Sequence, residues 1–583
     1  MSKLKNKRAS KVTAILLALM MAVVFMPTFA FAADGGAADD TIVYMTVSDQ
    51  SVLATAKDGS AVAWKEVTVK DLDGDGTLTL HEALVALHTA YYVDGEAGYA
   101  AAYDEGYKSY AVSKLWGVEN GGGYGFVKNG AMTAAVDQEK VAEGDYITAY
   151  VYKDPIGWSD VYTQFGPYST ATTVGEPVEI VMTDITFDAS WQPVTAPVEG
   201  ATLGVWQDGT VTPLGVKTDA KGAAEVSFET PGTYIVTAVS PTDIDGTSKA
   251  ISAPACIVNV GAPDAIVNMT VSNEGVLAAS KDGEAVAWLA VTAKDQDFDG
   301  KVTLHEALVA LHETYYEGGA AGYAAAYDEG YKSYAVSKLW GVENGGGYGF
   351  VKSGALTAAV DQEVVTEGDF ITAYVYKDPI GWSDVYTQFG PYVAAAYVNE
   401  PVKIDMTDIT FDTDWKPVTG PVEGATLAIW NNGTVEPLDV KTDVTGAAEV
   451  TFDKPGVYVV TAVSPTDISG ASTPISAPAC VVMVVKQDNP MKVTAKTVKA
   501  KYNKKTVIKA SKAFKIKNKK GKITYKQKTK NNKITVAKNG KITVKKGLKK
   551  GKTYKIKVNV TDSGNKEFAP VTKPVTVKIK ITK

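Results

Sequence analysis

The sequence predicts a mainly β multidomain chain with short helices, in which small α+β modules alternate with β-sandwiches and a basic β-domain closes the C-terminus. Three observations predict it. The chain has 583 residues, and single cores rarely exceed ~250–300 residues. It repeats itself at an offset of 224 residues: the 32-residue stretch Ala97–Lys128 returns unchanged at Ala321–Lys352, and Ile147–Tyr168 returns at Ile371–Tyr392. Such a period is too long for a solenoid and marks duplication of a whole unit. Finally, runs such as AAEVSF, TYIVTAV and CIVNV stand between Asp-Gly, Lys-Gly and Pro-Gly, the pattern of short strands joined by turns.

Each element follows in order. Residues 1–32 carry a basic stretch, an apolar run from Val12 to Met26 and the small-residue triplet Ala30-Phe31-Ala32. These are the parts of a signal peptide, with cleavage expected before Ala33. The apolar run is too short to span a bilayer comfortably. The expected address is secreted or extracellular, with non-covalent attachment to a cell wall as an option, in a bacterium. Each repeat then splits. Residues 41–172 and 265–396 are rich in Tyr and Gly and contain one amphipathic helix, while 173–262 and 397–486 read as sandwiches of immunoglobulin-like type. Cys256 and Cys480 are equivalent by the same offset. Each is expected as a buried strand thiol in its own copy, in preference to a disulfide between copies. In 487–583, KITVKKG, YKIKVNV and VTVKIKIT alternate apolar and Lys residues, as half-buried antiparallel strands do.

The net charge of −7 conceals a separation: residues 486–583 hold 32 Lys and three acids, whereas 33–485 hold 22 basic and 63 acidic residues. An acidic body with a basic end points to ions and polyanions as partners. The expected partner of the basic domain is an anionic cell-wall polymer, with nucleic acid disfavoured.

One motif carries specific chemistry. Asp71, Asp73, Asp75, Thr77, Thr79 and Glu82 occupy positions 1, 3, 5, 7, 9 and 12 of an EF-hand-type calcium loop, with Gly76 at position 6. Calcium takes six to eight oxygens at ~2.3–2.6 Å, so acids on alternate residues turn inward together, position 7 gives its backbone carbonyl, and the glutamate closes the far side. The second copy offers Asp295, Asp297, Asp299, Lys301, Thr303 and Glu306, with Gly300 at the turn. One Ca2+ per unit, two in total, is expected. Val67-Thr68-Val69 and Val291-Thr292-Ala293 read as strands, and Leu80, Ala83, Leu84, Leu87 and Tyr91 share a helical face. The expected frame is therefore strand–loop–helix, which suits a structural ion more than a sensor that moves one helix against another. His81 and His88, like His305 and His312, lie seven residues apart, ~10.5 Å along a helix and too far for one metal. They are assigned to packing or solvent. No Ser/His/Asp, HExxH or CxxC pattern occurs, and no stretch of ~150 residues remains for a catalytic domain. The reading is a non-enzyme.

Ser113–Asp154 resembles the β-domain at the C-terminus of the cobalamin carriers transcobalamin and intrinsic factor. The resemblance lies in the aromatic, Asn-Gly-ended hairpin YGFVKNG at Tyr124–Gly130 and the Glu143-Gly144-Asp145 turn before an alternating strand, and covers about 40 residues of each unit. It implies a β-grasp-like sheet for the α+β modules. It does not imply cobalamin binding, because the carriers also need a large helical domain that this chain lacks. Trp158 and Trp382, each between Gly and Ser-Asp, are the speculative ligand-contacting residues, since exposed rings stack on sugars or pack on proteins. The function expected is a calcium-binding secreted or cell-surface multidomain protein, adhesive or scaffolding. The alternative is an extracellular protein that binds a small molecule or glycan through the aromatic modules.

Overall fold

A computed structural model of the chain describes residues 40–190, 192–239, 250–414, 416–463 and 474–583. The expected signal peptide, 1–32, lies outside the described residues. The chain forms two compact units, one of residues up to Asp264 with Lys294–Val302, the other of Ala265–Ala293 with Thr303–Lys583.

In the first unit the stretch TIVYMTVSD forms the strand Thr41–Asp49 and buries Val43, Met45 and Val47 completely on one face, as the period of two requires. This strand pairs antiparallel with Lys65–Val69 and parallel with Tyr146–Val151, which in turn pairs antiparallel with Tyr124–Lys128. A parallel pair needs a long crossover, and the helix α1, Leu80–Tyr91, lies within it. Leu80, Ala83, Leu84 and Leu87 of α1 enter the same core as Val43, Met45, Val47, Ile147 and Ala149. The order second, first, last, third strand, with the central pair parallel, is the β-grasp arrangement.

The sandwich follows. Val178–Phe187 pairs with Tyr162–Gly166, Pro193–Pro197 and Ala223–Val226 in one sheet. The other runs in the order Ser169–Thr173, Cys256–Gly261, Gly232–Val239, Thr202–Gln207, Thr210–Lys217, with its first pair parallel. Phe165, Ile180, Met182, Leu203, Val236, Cys256 and Val258 fill the space between the sheets, giving the immunoglobulin-like sandwich. The expected module boundary at 172/173 shifts, because Tyr162–Gly166 and Ser169–Thr173 pair with sandwich strands. The same holds at 396/397, where Tyr386–Gly390 and Val393–Tyr397 pair with Pro401–Phe411 and Cys480–Val485. Tyr162–Gly166 and Tyr386–Gly390, both YTQFG, share the Tyr- and Gly-rich composition of the module before them, and the partners of Ser169–Thr173 and Val393–Tyr397 lie about 90 residues away, beyond any local signal. Cys256 and Cys480 are free and buried, and burial alone pushes each thiol up to about 12.

Aromatic residues join the two modules of the unit. Trp64, Trp206, Leu53, Ala253 and Ala255 form a cluster against which Tyr44, Tyr146 and Tyr168 pack. The Trp64 ring lies 4.6 Å from Tyr168 and 5.2 Å from Tyr146, and its indole N–H donates to the Ala255 carbonyl at 2.8 Å. Ser48 Oγ accepts the Ala253 N–H at 2.8 Å. The second face of Thr41–Asp49 is thus buried as well.

The second unit repeats this plan. Ala265–Asn273 pairs parallel with Phe370–Val375, the helix α2 spans Leu304–Tyr315, and the Trp288 indole donates to Ala479. In the terminal domain Thr497–Lys501, Val571–Thr582, Thr553–Asp562 and Ile523–Gln527 form a sheet in that order. Ile556, Val558, Val560, Val577 and Ile579 are buried, while Lys555, Lys557, Lys578 and Lys580 are exposed.

His88 and His312 are fully buried. His88 Nδ1 lies 2.6 Å from the Leu84 carbonyl and its Nε2 accepts the Trp116 N–H at 3.1 Å. His312 does the same with Leu308 and Trp340. This pattern needs a neutral ring with the proton on Nδ1, and burial brings both imidazoles down to about 4. Since the folded value lies below the unfolded value of ~6.5, the unfolded chain binds more protons between them, and stability falls as pH falls through that window. The expected loss by pH ~5 is about 2 kcal/mol per histidine. Urea denaturation of the full chain at pH ~7 and ~5 measures it, and His88→Gln should flatten the dependence of the first unit. A midpoint unchanged across the window would refute the buried neutral state.

Candidate metal centre

The strand Lys65–Val69 runs into a loop whose glycines set its path. Gly74 and Gly76 have φ of +75° and +80°, a left-handed backbone that glycine adopts without a Cβ penalty. The carboxylates of the loop accept its own amides. Asp71 takes the N–H of Gly74 on Oδ1 at 2.7 Å and that of Gly76 on Oδ2 at 2.9 Å. Asp73 accepts from Asp75 at 3.1 Å, and Asp75 from Thr77 at 2.7 Å. The Gly76 amide, followed by those of Gly74 and Asp75, holds the Asp71 carboxyl below its usual range against some desolvation, so it stays ionised at neutral pH.

Glu82 closes the loop from α1. It is buried, with Oε1 accepting the Leu72 N–H at 2.7 Å and Oε2 accepting the Thr79 N–H at 2.7 Å and the Thr79 hydroxyl at 3.2 Å. Thr79 is the N-cap of α1 and Glu82 its third residue, a capping-box pairing. One carboxylate therefore spans the start and end of the loop. The next amides of α1, at Leu80 and His81, donate to the carbonyls of Glu139 and Val136.

Among the sequence-predicted ligands the structure brings together Asp71, Asp73 and Glu82, which offer oxygens within 4.8 Å of one another. Two ligands of one calcium ion lie at most about 5 Å apart, so the spacing suits a single cation. Asp75 is exposed and outside that trio. Thr77 places its amide on Asp75, and Thr79 serves as the cap.

In the second copy Asp295, Asp297 and Asp299 offer oxygens within 4.8 Å of one another. Asp297 accepts from Asp299 at 3.1 Å, and Asp299 from the exposed Lys301 at 2.8 Å. Thr303 and Glu306 belong to the second unit, where Thr303 caps α2 and Glu306 accepts its N–H at 2.7 Å. Asp295 is 5 % exposed. Its Oδ2 accepts the Gly300 N–H at 3.0 Å and the Ala262 N–H at 2.8 Å, while its buried Oδ1 has no hydrogen-bond partner among the described residues. A buried carboxylate oxygen without a partner is costly, and a cation is the chemistry that satisfies it. All donors in both groups are oxygens, the hard set that calcium and magnesium favour over zinc. Sequence reasoning missed Ala262 and Leu72, which contribute main-chain N–H groups that side-chain spacing cannot reveal.

Trp158 and Trp382 are 61 % and 62 % exposed, as expected. Each sits on a braced loop: Asp154 accepts the Gly157 N–H and the Ser159 hydroxyl, and Asp160 accepts the amides of Lys153 and Asp154. Most other aromatics of these modules are internal. Tyr150 is buried between Tyr152 and Tyr162, whose hydroxyls contact each other.

No family model matches the chain, and no curated protein does either. Among solved structures it is similar to Drosophila N-cadherin EC1-4, at 12 % identity over 68 % of this chain and 96 % of that one, with a TM-score of 0.20. Sidekick-1 immunoglobulin domains 1-4 align at 8 % identity over 78 % and 90 %, with a TM-score of 0.18. Mouse cadherin-23 EC22-24 aligns at 10 % identity over 73 % and 100 %, with a TM-score of 0.16. At such scores no role passes from them to this chain, and the fold rests on the strand pairing given above. No helix among the described residues is long and apolar enough to cross a membrane.

Proposed function

We propose that the chain is an extracellular calcium-binding scaffold, adhesive in use, with one structural Ca2+ per repeat. The observation that carries the reading is the recurrence of three oxygen ligands within 4.8 Å on a strand–loop–helix frame in both copies. Asp71, Asp73 and Glu82 hold the first ion, and Asp295, Asp297 and Asp299 supply carboxylates to the second. Calcium at the millimolar level found outside cells fills even sites of ~10⁻⁴–10⁻³ M affinity. Calorimetry of the full chain should count two ions, Asp71→Ala or Glu82→Ala should remove one, and the melting temperature should rise with calcium. A chain that takes up no calcium and melts identically in chelator would end this reading.

The basic domain is the attachment point to an anionic cell-wall polymer. Residues 487–583 hold 31 Lys against three acids, so most of the lysines have no acidic counter-charge within the domain. Across the sheet Lys555 stands opposite Lys578, and Lys499 opposite Lys580. Like charges in directly opposed positions repel, and a polyanion laid over the face offsets that repulsion. Removal of 487–583 should abolish retention on wall preparations, and added salt should weaken retention of the intact chain. Retention that survives the truncation and ignores salt would exclude the domain as anchor.

A second reading has its own observation. Ile156 is 92 % exposed beside Trp158 on the braced loop, and Ile380 is 91 % exposed beside Trp382, an arrangement able to stack on a glycan. In a glycan-binding screen of the full chain, Trp158→Ala with Trp382→Ala should erase any signal. A wild-type chain that binds no glycan would remove this alternative.

A further inference from the structure

The two calcium loops have the same acids at the same spacing but different surroundings. Asp71 is half-buried, Asp73 and Asp75 are exposed, and a Cβ placed on Gly74 or Gly76 would meet nothing within 4 Å among the described residues. In the second loop the end of the preceding sandwich closes over the first ligand. The Ala262 N–H, directly after the strand Cys256–Gly261, donates to Asp295 Oδ2 at 2.8 Å. Gly261 lies so near that an added Cβ would stand 3.2 Å from the Asp295 carbonyl oxygen, 3.3 Å from the Asp295 Cβ and 3.5 Å from Phe298. A Cβ on Gly300, the sixth position of the loop, would stand 3.2 Å from Pro231, in the turn that opens the strand Gly232–Val239. Phe298, where the first copy has Gly74, holds a left-handed φ of +60°, a costly conformation for a bulky side chain. All of these residues belong to the first unit.

The cost of this burial is concentrated on Asp295. One oxygen is held by two amides, and the other is buried without a hydrogen-bond partner among the described residues. Packing the sandwich end onto the loop removes water from that oxygen. We propose that the second loop is a calcium-dependent clasp on the preceding sandwich. The cation held by Asp295, Asp297 and Asp299 satisfies the buried oxygen and so fastens the Cys256–Gly261 end and the Pro231 turn to the loop. The coupling is reciprocal: the ion stabilises the sandwich end, and the packed sandwich end raises the affinity of the loop for the ion. The first loop has no such clasp among the described residues. The inference rests on the calcium reading above and goes beyond it by giving the two sites different tasks.

Hydrogen–deuterium exchange of the full chain, read by mass spectrometry with and without about 1 mM calcium, tests it. Segments 226–234 and 256–264 differ in sequence from their counterparts in the second sandwich, so their peptides are distinguishable. Their exchange should slow about tenfold with calcium, the factor expected for a site of ~10⁻⁴ M affinity. Asp297→Asn with Asp299→Asn should abolish the effect, whereas Asp73→Asn with Asp75→Asn should leave it intact. The coupling is overturned if calorimetry counts an ion at the second loop while exchange in 226–234 and 256–264 does not change. It is equally overturned if 450–458 and 480–485 respond as strongly. A wild-type chain with no calcium heat overturns the parent reading, and the clasp with it.

Discussion

The packing of one tryptophan between two small modules is the constraint on which each unit depends. Neither a five-residue strand such as Lys65–Val69 nor a twelve-residue helix supplies a large core, and modules of this size are marginal alone. Trp64 answers this by lying between the β-grasp sheet and the sandwich, with its indole N–H on Ala255 and its ring among Tyr146 and Tyr168. It does so at φ +49°, and Trp288 repeats this at +54°. A bulky residue persists in that region only where the surroundings fix it. Part of the dense tyrosine content of the repeats lines this joint and the Tyr150–Tyr152–Tyr162 cluster. Trp158 and Trp382 turn outward instead, as do Tyr103, Tyr107, Tyr327 and Tyr331.

The joint also bears on the loops. Because Thr41–Asp49 is covered by α1 on one face and by the sandwich on the other, the edge strand Lys65–Val69 that enters the first loop is fixed at its base. Glu82 then fixes the exit through Thr79 and Leu72. Between them Asp71, Asp73 and Asp75 accept backbone amides in sequence, and those on Asp71 hold its carboxyl below the usual range. A loop built this way loses little further freedom on taking up a cation.

Much of this was legible in the residues, and the misses have physical causes. The unchanged blocks at the offset of 224 gave the duplication, period-two alternation in AAEVSF and YKIKVNV gave the sandwiches and the terminal sheet, and the apolar stripe from Leu80 to Leu87 gave the helix. Sequence alone places Tyr162–Gly166 and Ser169–Thr173 in the first module, whereas tertiary pairing joins them to Val181–Ile185 and Ile257–Gly261. Spacing identified the acids of the loops but could not rank them. Asp71 and Asp295 are the same residue type at the same position, and what buries Asp295 is a main-chain amide at Ala262 that leaves no mark in composition. Nor could spacing show that Glu82 and Thr79 also serve as a helix cap. Lysine counts gave the charge of the terminal domain, and only the strand register places Lys555 against Lys578.

The central parallel pair of the β-grasp sheet has a consequence for how the chain is made. Thr41–Asp49 must find Tyr146–Val151 about 100 residues on, yet Phe370–Val375 differs from that strand at its first position alone. Closing the longer loop, about 330 residues, costs only about 1 kcal/mol more in chain entropy. Entropy by itself therefore discriminates weakly against a cross-paired product in which one repeat lends its strand to the other. Emergence from the ribosome supplies the missing selectivity: at ~5–20 residues per second the nearer strand is available for many seconds before its near-duplicate exists. Correct pairing is thus easiest to reach in vectorial synthesis, and refolding of the whole chain from denaturant is where tandem duplicates of this kind are most exposed to exchange.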